Sequence, residues 1–163
     1  MVILKNGRGQ LGDELIKANL QCNQDVYIYH TWEVNDKHPK AQNDSLNRFK
    51  YFVDEHQSSR IIFISTTSEN ETQYVLSKHM AEAYLINKTS NGFVLRVPMF
   101  IGPRVISNFK DDSKKPYGTM ELIHTRDVVE KIKELLNYDG VKRFHTLHGE
   151  KISAQLIYDL VRI

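Results

Sequence analysis

The chain has 163 residues, 40% apolar and 26% charged, which suits one soluble globular domain, 1–163, with enough apolar side chains for a core. A formal net charge of +2, with Lys and Arg scattered along the chain, argues against nucleic acid or an anionic membrane as partner. The single cysteine, Cys22, excludes an intrachain disulfide and any Cys-based zinc cluster; with only a short apolar run, Met1 to Leu4, in "MVILKNGRG" and no stretch of membrane-spanning length, the expectation is a cytoplasmic protein without a signal peptide.

Short β-rich runs alternate with helical patterns from end to end, as βαβ units and a parallel sheet require. "MVILK" reads as a strand, "GQLGDELIKANL" as a helix opening at glycines, and "DVYIYHT" as a second strand. "QNDSLNRFKYFVDEHQ" follows as a helix with Leu46, Phe49 and Phe52 or Val53 at core spacing. "RIIFIST" is a continuous apolar run, expected of a strand covered on both faces. Next come a helix carrying Tyr74 and Lys78, the strand "GFVLRVP", and a polar loop from Gly102 to Gly118. "MELIHT" resumes as a strand, "RDVVEKIKELLN" is a helix, and "KRFHTLH" precedes a last amphipathic helix, "SAQLIYDLVRI". The crossover rule sets successive strands along one direction, so "MVILK" should have "DVYIYH" beside it, then "RIIFIS", then "GFVLRV".

Three places along this pattern carry chemistry. At the first strand-to-helix junction, Gly7-Arg8-Gly9-Gln10-Leu11-Gly12 is a literal GxGxxG, whose glycines allow a tight turn and close approach of a pyrophosphate to the helix N-terminus. Arg8 could add a phosphate contact. At the end of the third strand stand Ser65, Thr66 and Thr67, where parallel α/β sheets bind ligands. On the next helix Tyr74 and Lys78 lie four apart and share a face, so an ammonium can favour the phenolate and make Tyr74 an acid or base near neutrality. His145 and His148, three apart in a β-like segment without nearby carboxylates, do not make a metal site. Trp32 reads mainly as packing at a strand end, with some scope for lining a cleft.

Taken in order, the glycine turn, the hydroxyl pair, YxxxK, "LRVPMFIGPR" and "MELIHTRDVV" resemble the extended short-chain dehydrogenase/reductase family. The likeness is nearest to its NAD-dependent epimerase/dehydratase branch, including the dTDP-4-dehydrorhamnose reductase type, and it runs with gaps from Met1 to about Val161. It implies a three-layer Rossmann-like fold, NAD or NADP as cofactor, a nucleotide-sugar substrate and a homodimer pairing through the YxxxK helix and the one before it. It further implies Tyr74 as catalytic acid/base, Lys78 as the residue that lowers its pKa and holds the nicotinamide ribose, Thr66 as the catalytic hydroxyl with Thr67 in reserve, and Asn43 as the helix-borne asparagine. Gly7, Arg8, Gly9, Gln10, Leu11 and Gly12 would hold the dinucleotide, and Thr67, Pro98 and Arg104 would face the substrate.

The chain departs from that pattern at three points. Aligning "GQLGDEL" to the family's GxxGxxG sets Asn6 where the first glycine belongs. Only 13 residues separate Gly12 from Val26, so the family's second and third strands, the residue that reads the adenosine ribose and much of the adenine pocket are missing. Only seven residues lie between Thr66 and Tyr74, and the C-terminal substrate region is vestigial. The alternative reading is therefore a binding or assembly protein that kept the fold without catalysis, its first strand an exposed edge able to pair with another chain.

Overall fold

The computed structural model describes residues 1–5, 9–110 and 116–163. Strands β1 (Val2–Lys5), β2 (Val26–Tyr29), β3 (Arg60–Thr66), β4 (Gly92–Val97) and β7 (Phe144–Thr146) form one parallel sheet in the order β1-β2-β3-β4-β7. β1 stands at its edge, with β2, β3 and β4 following in one direction as the alternation of the sequence implied.

Period-two alternation divides the core into two layers. Val26, Ile28, Ile62, Ile64, Leu95 and Val97 point to one face. Helices α1 (Gln10–Ala18) and α5 (Thr125–Leu136) cover them with Leu11, Leu15, Val128 and Ile132. Tyr29, Ile61, Phe63 and Val94 point to the other face, under α2 (Pro39–Glu55) and α3 (Gln73–Lys88), which contribute Leu46, Phe49, Val53, Ala81 and Leu85. Fully covering β3 on both sides explains why its sequence is apolar without alternation.

A second, three-stranded sheet joins β5 (Met99–Phe100) in parallel to β6 (Thr119–Ile123), and β6 in antiparallel to β8 (Glu150–Ser153). Helices α4 (Pro103–Phe109) and α6 (Ala154–Leu160) pack on it through Val105, Leu122 and Ile157. Two of these elements differ from the sequence expectation. The stretch read as a loop from Gly102 begins with α4, whose proline sits in the first turn where its missing N–H costs nothing. β8 was not expected, because its strand "EKIS" carries one apolar residue and gains its pairing from β6. Helix α2 begins at Pro39 rather than Gln42, with His38 Nδ1 accepting from the Lys40 N–H at 3.2 Å. Among the described residues no helix is long and apolar enough to cross a membrane.

Candidate active site at the carboxyl end of the sheet

Helix α3 starts at an N-cap threonine, Thr72, whose hydroxyl accepts from the Val75 N–H at 3.2 Å. The cap fixes the first turn, and with it Tyr74 and Lys78, against the carboxyl end of β3. Lys78 is only 5% exposed, on the same buried face as Val75, Ala81 and Glu82. A buried ammonium needs compensation. Its Nζ donates to the Ile64 carbonyl at 3.0 Å and stands 5.3, 5.5 and 5.7 Å from the ring centroids of Tyr74, Phe63 and Trp32, distances at which a cation is drawn to an aromatic face. No carboxylate pairs with it among the described residues. An ammonium carries three N–H donors, so Lys78 keeps capacity for a ligand.

Tyr74 is half-buried, and its hydroxyl has no hydrogen-bond partner among the described residues. A second cation attends it: the Lys37 ammonium, on the loop between β2 and α2, lies 4.1 Å from its ring centroid. Partial burial sets Lys37 below the usual lysine pKa; Tyr74 opposes this, while Arg104 pushes the same way as burial. Arg104, exposed on α4, is held on that loop by donating to the Val34 carbonyl at 3.1 Å.

The three hydroxyls after β3 have separate partners. Ser65 is buried and donates to Glu82 at 2.5 Å. Glu82, 2% exposed, also accepts from Arg96 Nε at 3.1 Å and Nη2 at 2.5 Å, so α3 is tied to both β3 and β4. Thr66 Oγ1 accepts from the Ser68 N–H at 3.0 Å, which leaves its O–H free to donate. Thr67 is anchored through its backbone N–H on Val97 at 3.1 Å, beside buried Pro98. No hydrogen bond joins the Tyr74 and Thr66 hydroxyls.

On α2 the structure sets Asn43 on the exposed face and turns its neighbour inward. Gln42, 1% exposed, is saturated: its amide donates to the Glu33 and Asp36 carbonyls at 2.9 and 2.7 Å, and its oxygen accepts from Trp32 Nε1 at 3.1 Å and Ser77 Oγ at 3.4 Å. It thereby locks the loop carrying Lys37 to the turn of α3 that carries Lys78. The signal was in the sequence, since residue 42 continues the 46, 49, 53 spacing of the buried face of α2. Lys37 had no such signal.

Of the glycine turn, Gly7 and Arg8, like Asn6, lie outside the described residues. Gly9 has φ 98° and open space where a Cβ would stand, and it caps α1 without a side-chain acceptor. Gln10 donates to the Ile101 carbonyl, which bridges the start of α1 to the chain after β5. Leu11 and Gly12 are buried, Leu11 in the core. His145 is packed between Phe93 and Tyr138 with Nε2 on the Lys142 carbonyl at 2.8 Å, and His148 lies 3.3 Å from Glu121. Among the described residues no group of three or more His, Cys, Asp or Glu side chains could hold a metal ion. A concavity of about 730 Å3 beside Trp32, lined by Tyr29, Arg48, Tyr51 and His56 among others, contains none of Tyr74, Lys78 and Thr66.

No family model matches the sequence, and no curated protein does. Solved structures match the fold closely. The Bordetella bronchiseptica enzyme WbmG, solved with NAD, aligns at TM-score 0.76 and 15% identity over 98% of this chain and 76% of its own. A Clostridium acetobutylicum dTDP-4-dehydrorhamnose reductase aligns at 0.74 and 16% over 99% and 80%. The Bacillus anthracis dTDP-4-dehydrorhamnose reductase, solved with NADP, aligns at 0.72 and 12% over 99% and 81%. At such identities the likeness establishes the Rossmann-like fold.

Proposed function

We propose that the chain is a shortened member of the extended short-chain dehydrogenase/reductase family, an NAD(P)-dependent oxidoreductase, epimerase or dehydratase acting on a nucleotide-linked sugar through Thr66, Tyr74 and Lys78. The observation that carries this is the buried Lys78 ammonium, held at the carboxyl end of β3 against the Tyr74 ring with no carboxylate to neutralise it among the described residues. The solved likenesses named with NAD, with NADP, and with NAD and UDP support the ligand class.

The residues present fit a nicotinamide dinucleotide. The opening N–H groups of α1, without a side-chain cap among the described residues and approached over the open space at Gly9, suit a pyrophosphate. The spare donors of Lys78 suit ribose hydroxyls. The nicotinamide, when bound, supplies the hydride acceptor or donor. Tyr74 takes the proton of the sugar hydroxyl as hydride leaves its carbon, or returns it to a ketone oxygen in the reverse direction. Lys78 and Lys37 set two ammonium groups against the Tyr74 ring, 5.3 and 4.1 Å from its centroid. Thr66 donates to the reacting oxygen, and Thr67, Pro98 and Arg104 line the approach of the substrate. The reading includes a homodimer through α2 and α3, which expose Tyr51, Leu76 and Met80, and a cytoplasmic setting in which Cys22 stays a thiol.

One observation favours the second reading, a family member that binds or assembles without catalysis: β1 is an edge strand, with no described strand on its outer side to extend the adenine half of the site. Calorimetric titration with NAD(H) and NADP(H), followed by hydride-transfer assays on nucleotide-linked sugars, separates the two. Binding with turnover supports the enzyme; no binding at millimolar dinucleotide removes it.

A further inference from the structure

The loop from Glu33 to His38, between β2 and α2, turns its acidic side chains onto its own backbone. Glu33 accepts from the Asn35 and Asp36 N–H groups at 2.7 and 3.0 Å, and Asp36 accepts from the His38 N–H at 2.9 Å. The buried Gln42 amide holds the loop from beneath by its carbonyls at Glu33 and Asp36. Lys37 is exposed on this fixed loop, with its ammonium 4.1 Å from the Tyr74 ring centroid. Arg104, also exposed, is docked on the same loop at the Val34 carbonyl, 3.1 Å away. Neither cation has an ion pair among the described residues.

A lysine resting on an aromatic face for its own sake needs no second cation. Here a guanidinium is brought to the same loop while both nearby carboxylates are turned away, so the rim beside Tyr74 carries positive charge that nothing described neutralises. Like charges gathered at a solvent-open rim attract an anion, and an ammonium beside a guanidinium suits phosphate oxygens. In a nucleotide-linked sugar the anion is the diphosphate at the anomeric carbon, no more than one sugar ring from the carbon that reacts. Lys37 lies against the ring of the very phenol that meets the sugar hydroxyl, so one group can hold the diphosphate while the other reaches the sugar. We propose that Lys37, with Arg104 on the same rim, clamps the diphosphate of the nucleotide sugar and thereby sets the sugar ring over the Tyr74 hydroxyl. This rests on the nucleotide-sugar reading above and adds to it Lys37 as a substrate-positioning residue outside the Thr-Tyr-Lys set.

The test is calorimetric titration of wild type, Lys37→Met and Lys37→Arg with UDP and with dTDP, so that the base does not decide the result, at low and at physiological salt. NADH titrations of the same three proteins run alongside. Lys37→Met should bind the diphosphates about tenfold more weakly, the ratio expected for one lost charge-assisted hydrogen bond, and the difference should narrow as salt rises. Lys37→Arg should recover most of the loss. NADH should bind all three proteins alike, and the urea midpoint of Lys37→Met should stay close to that of wild type, because Lys37 holds no hydrogen bond or ion pair among the described residues. Equal diphosphate affinity in wild type and Lys37→Met overturns the inference. So does a loss that neither salt nor arginine alters, which would mark Lys37 as packing for the loop, and so does a loss confined to NADH, which would assign it to the cofactor. Wild type that binds NADH but neither diphosphate at millimolar concentration overturns the inference and leaves the dinucleotide reading standing. Wild type that binds none of them removes both.

Discussion

In the proposed reaction Tyr74 and Lys78 have separate roles at the scale of single side chains, and substitutions tell them apart. Tyr74→Phe deletes a hydroxyl that supports no hydrogen bond in the described structure, so turnover should fall by about 100- to 10,000-fold with unfolding unchanged. Lys78→Met fills the same aromatic surroundings but removes the charge, so it should weaken dinucleotide binding as well as turnover. Gln42→Ala should cost about 1–2 kcal/mol in urea unfolding, since it removes the donor to the part-buried Glu33 and Asp36 carbonyls and one of the two acceptors of Trp32 Nε1, which keeps Ser77 Oγ at 3.3 Å. Tyr74, Lys78 and Thr66 were proposed from spacing patterns, YxxxK and a hydroxyl after a strand; the structure sets Lys78 against the Tyr74 ring and leaves the Tyr74 and Thr66 hydroxyls without a hydrogen bond between them. Lys37 reaches the Tyr74 ring only through the fold, from a loop whose meeting with α3 no local spacing encodes, and Arg104 joins that loop from a short helix.

Among the elements, α3 carries the site and is held from three directions: by its cap Thr72, by Gln42 of α2 through Ser77, and by Glu82 bonded to Ser65 of β3 and Arg96 of β4. The last tie is the one whose loss moves the helix. Glu82→Ala leaves the Arg96 guanidinium unpaired where it is partly screened, at 38% side-chain exposure, and should destabilise by about 2 kcal/mol, below the figure for a fully buried pair. The double variant Glu82→Leu, Arg96→Met should recover most of that loss in the same urea titration, because no charge is then stranded. The main sheet could be read in order from the chain because each apolar strand is followed by a helix with its own apolar face, and crossover handedness leaves few arrangements. Helix α4 and strand β8 could not, since one buries only Val105 and the other owes its existence to pairing with β6.

For the whole molecule, two imidazoles, His145 buried and His30 half-buried, predict how stability depends on pH. Burial lowers the pKa of both His30 and His145 from the ordinary 6.5. Between the folded and unfolded values the unfolded chain binds more protons, so stability is fully present above about pH 6.5 and declines as pH falls below it. Urea midpoints from pH 7.5 to 5.5 should show this slope, and His30→Gln should flatten it. Light scattering at tens of micromolar should find a dimer, with a charge at Leu76 or Met80 on α3 returning it to monomer. Everything functional depends on whether this chain, with β1 at the sheet edge, still holds a nicotinamide dinucleotide. The sole tryptophan, Trp32, stands 5.7 Å from the Lys78 ammonium by its ring centroid, which makes its fluorescence a direct reporter. Titration with NADH should give saturable Trp32 quenching with energy transfer to the nicotinamide, reversed by NAD+ and strongly weakened in Lys78→Met. Unchanged Trp32 emission up to millimolar NADH and NADPH, with no heat of binding, would contradict the account.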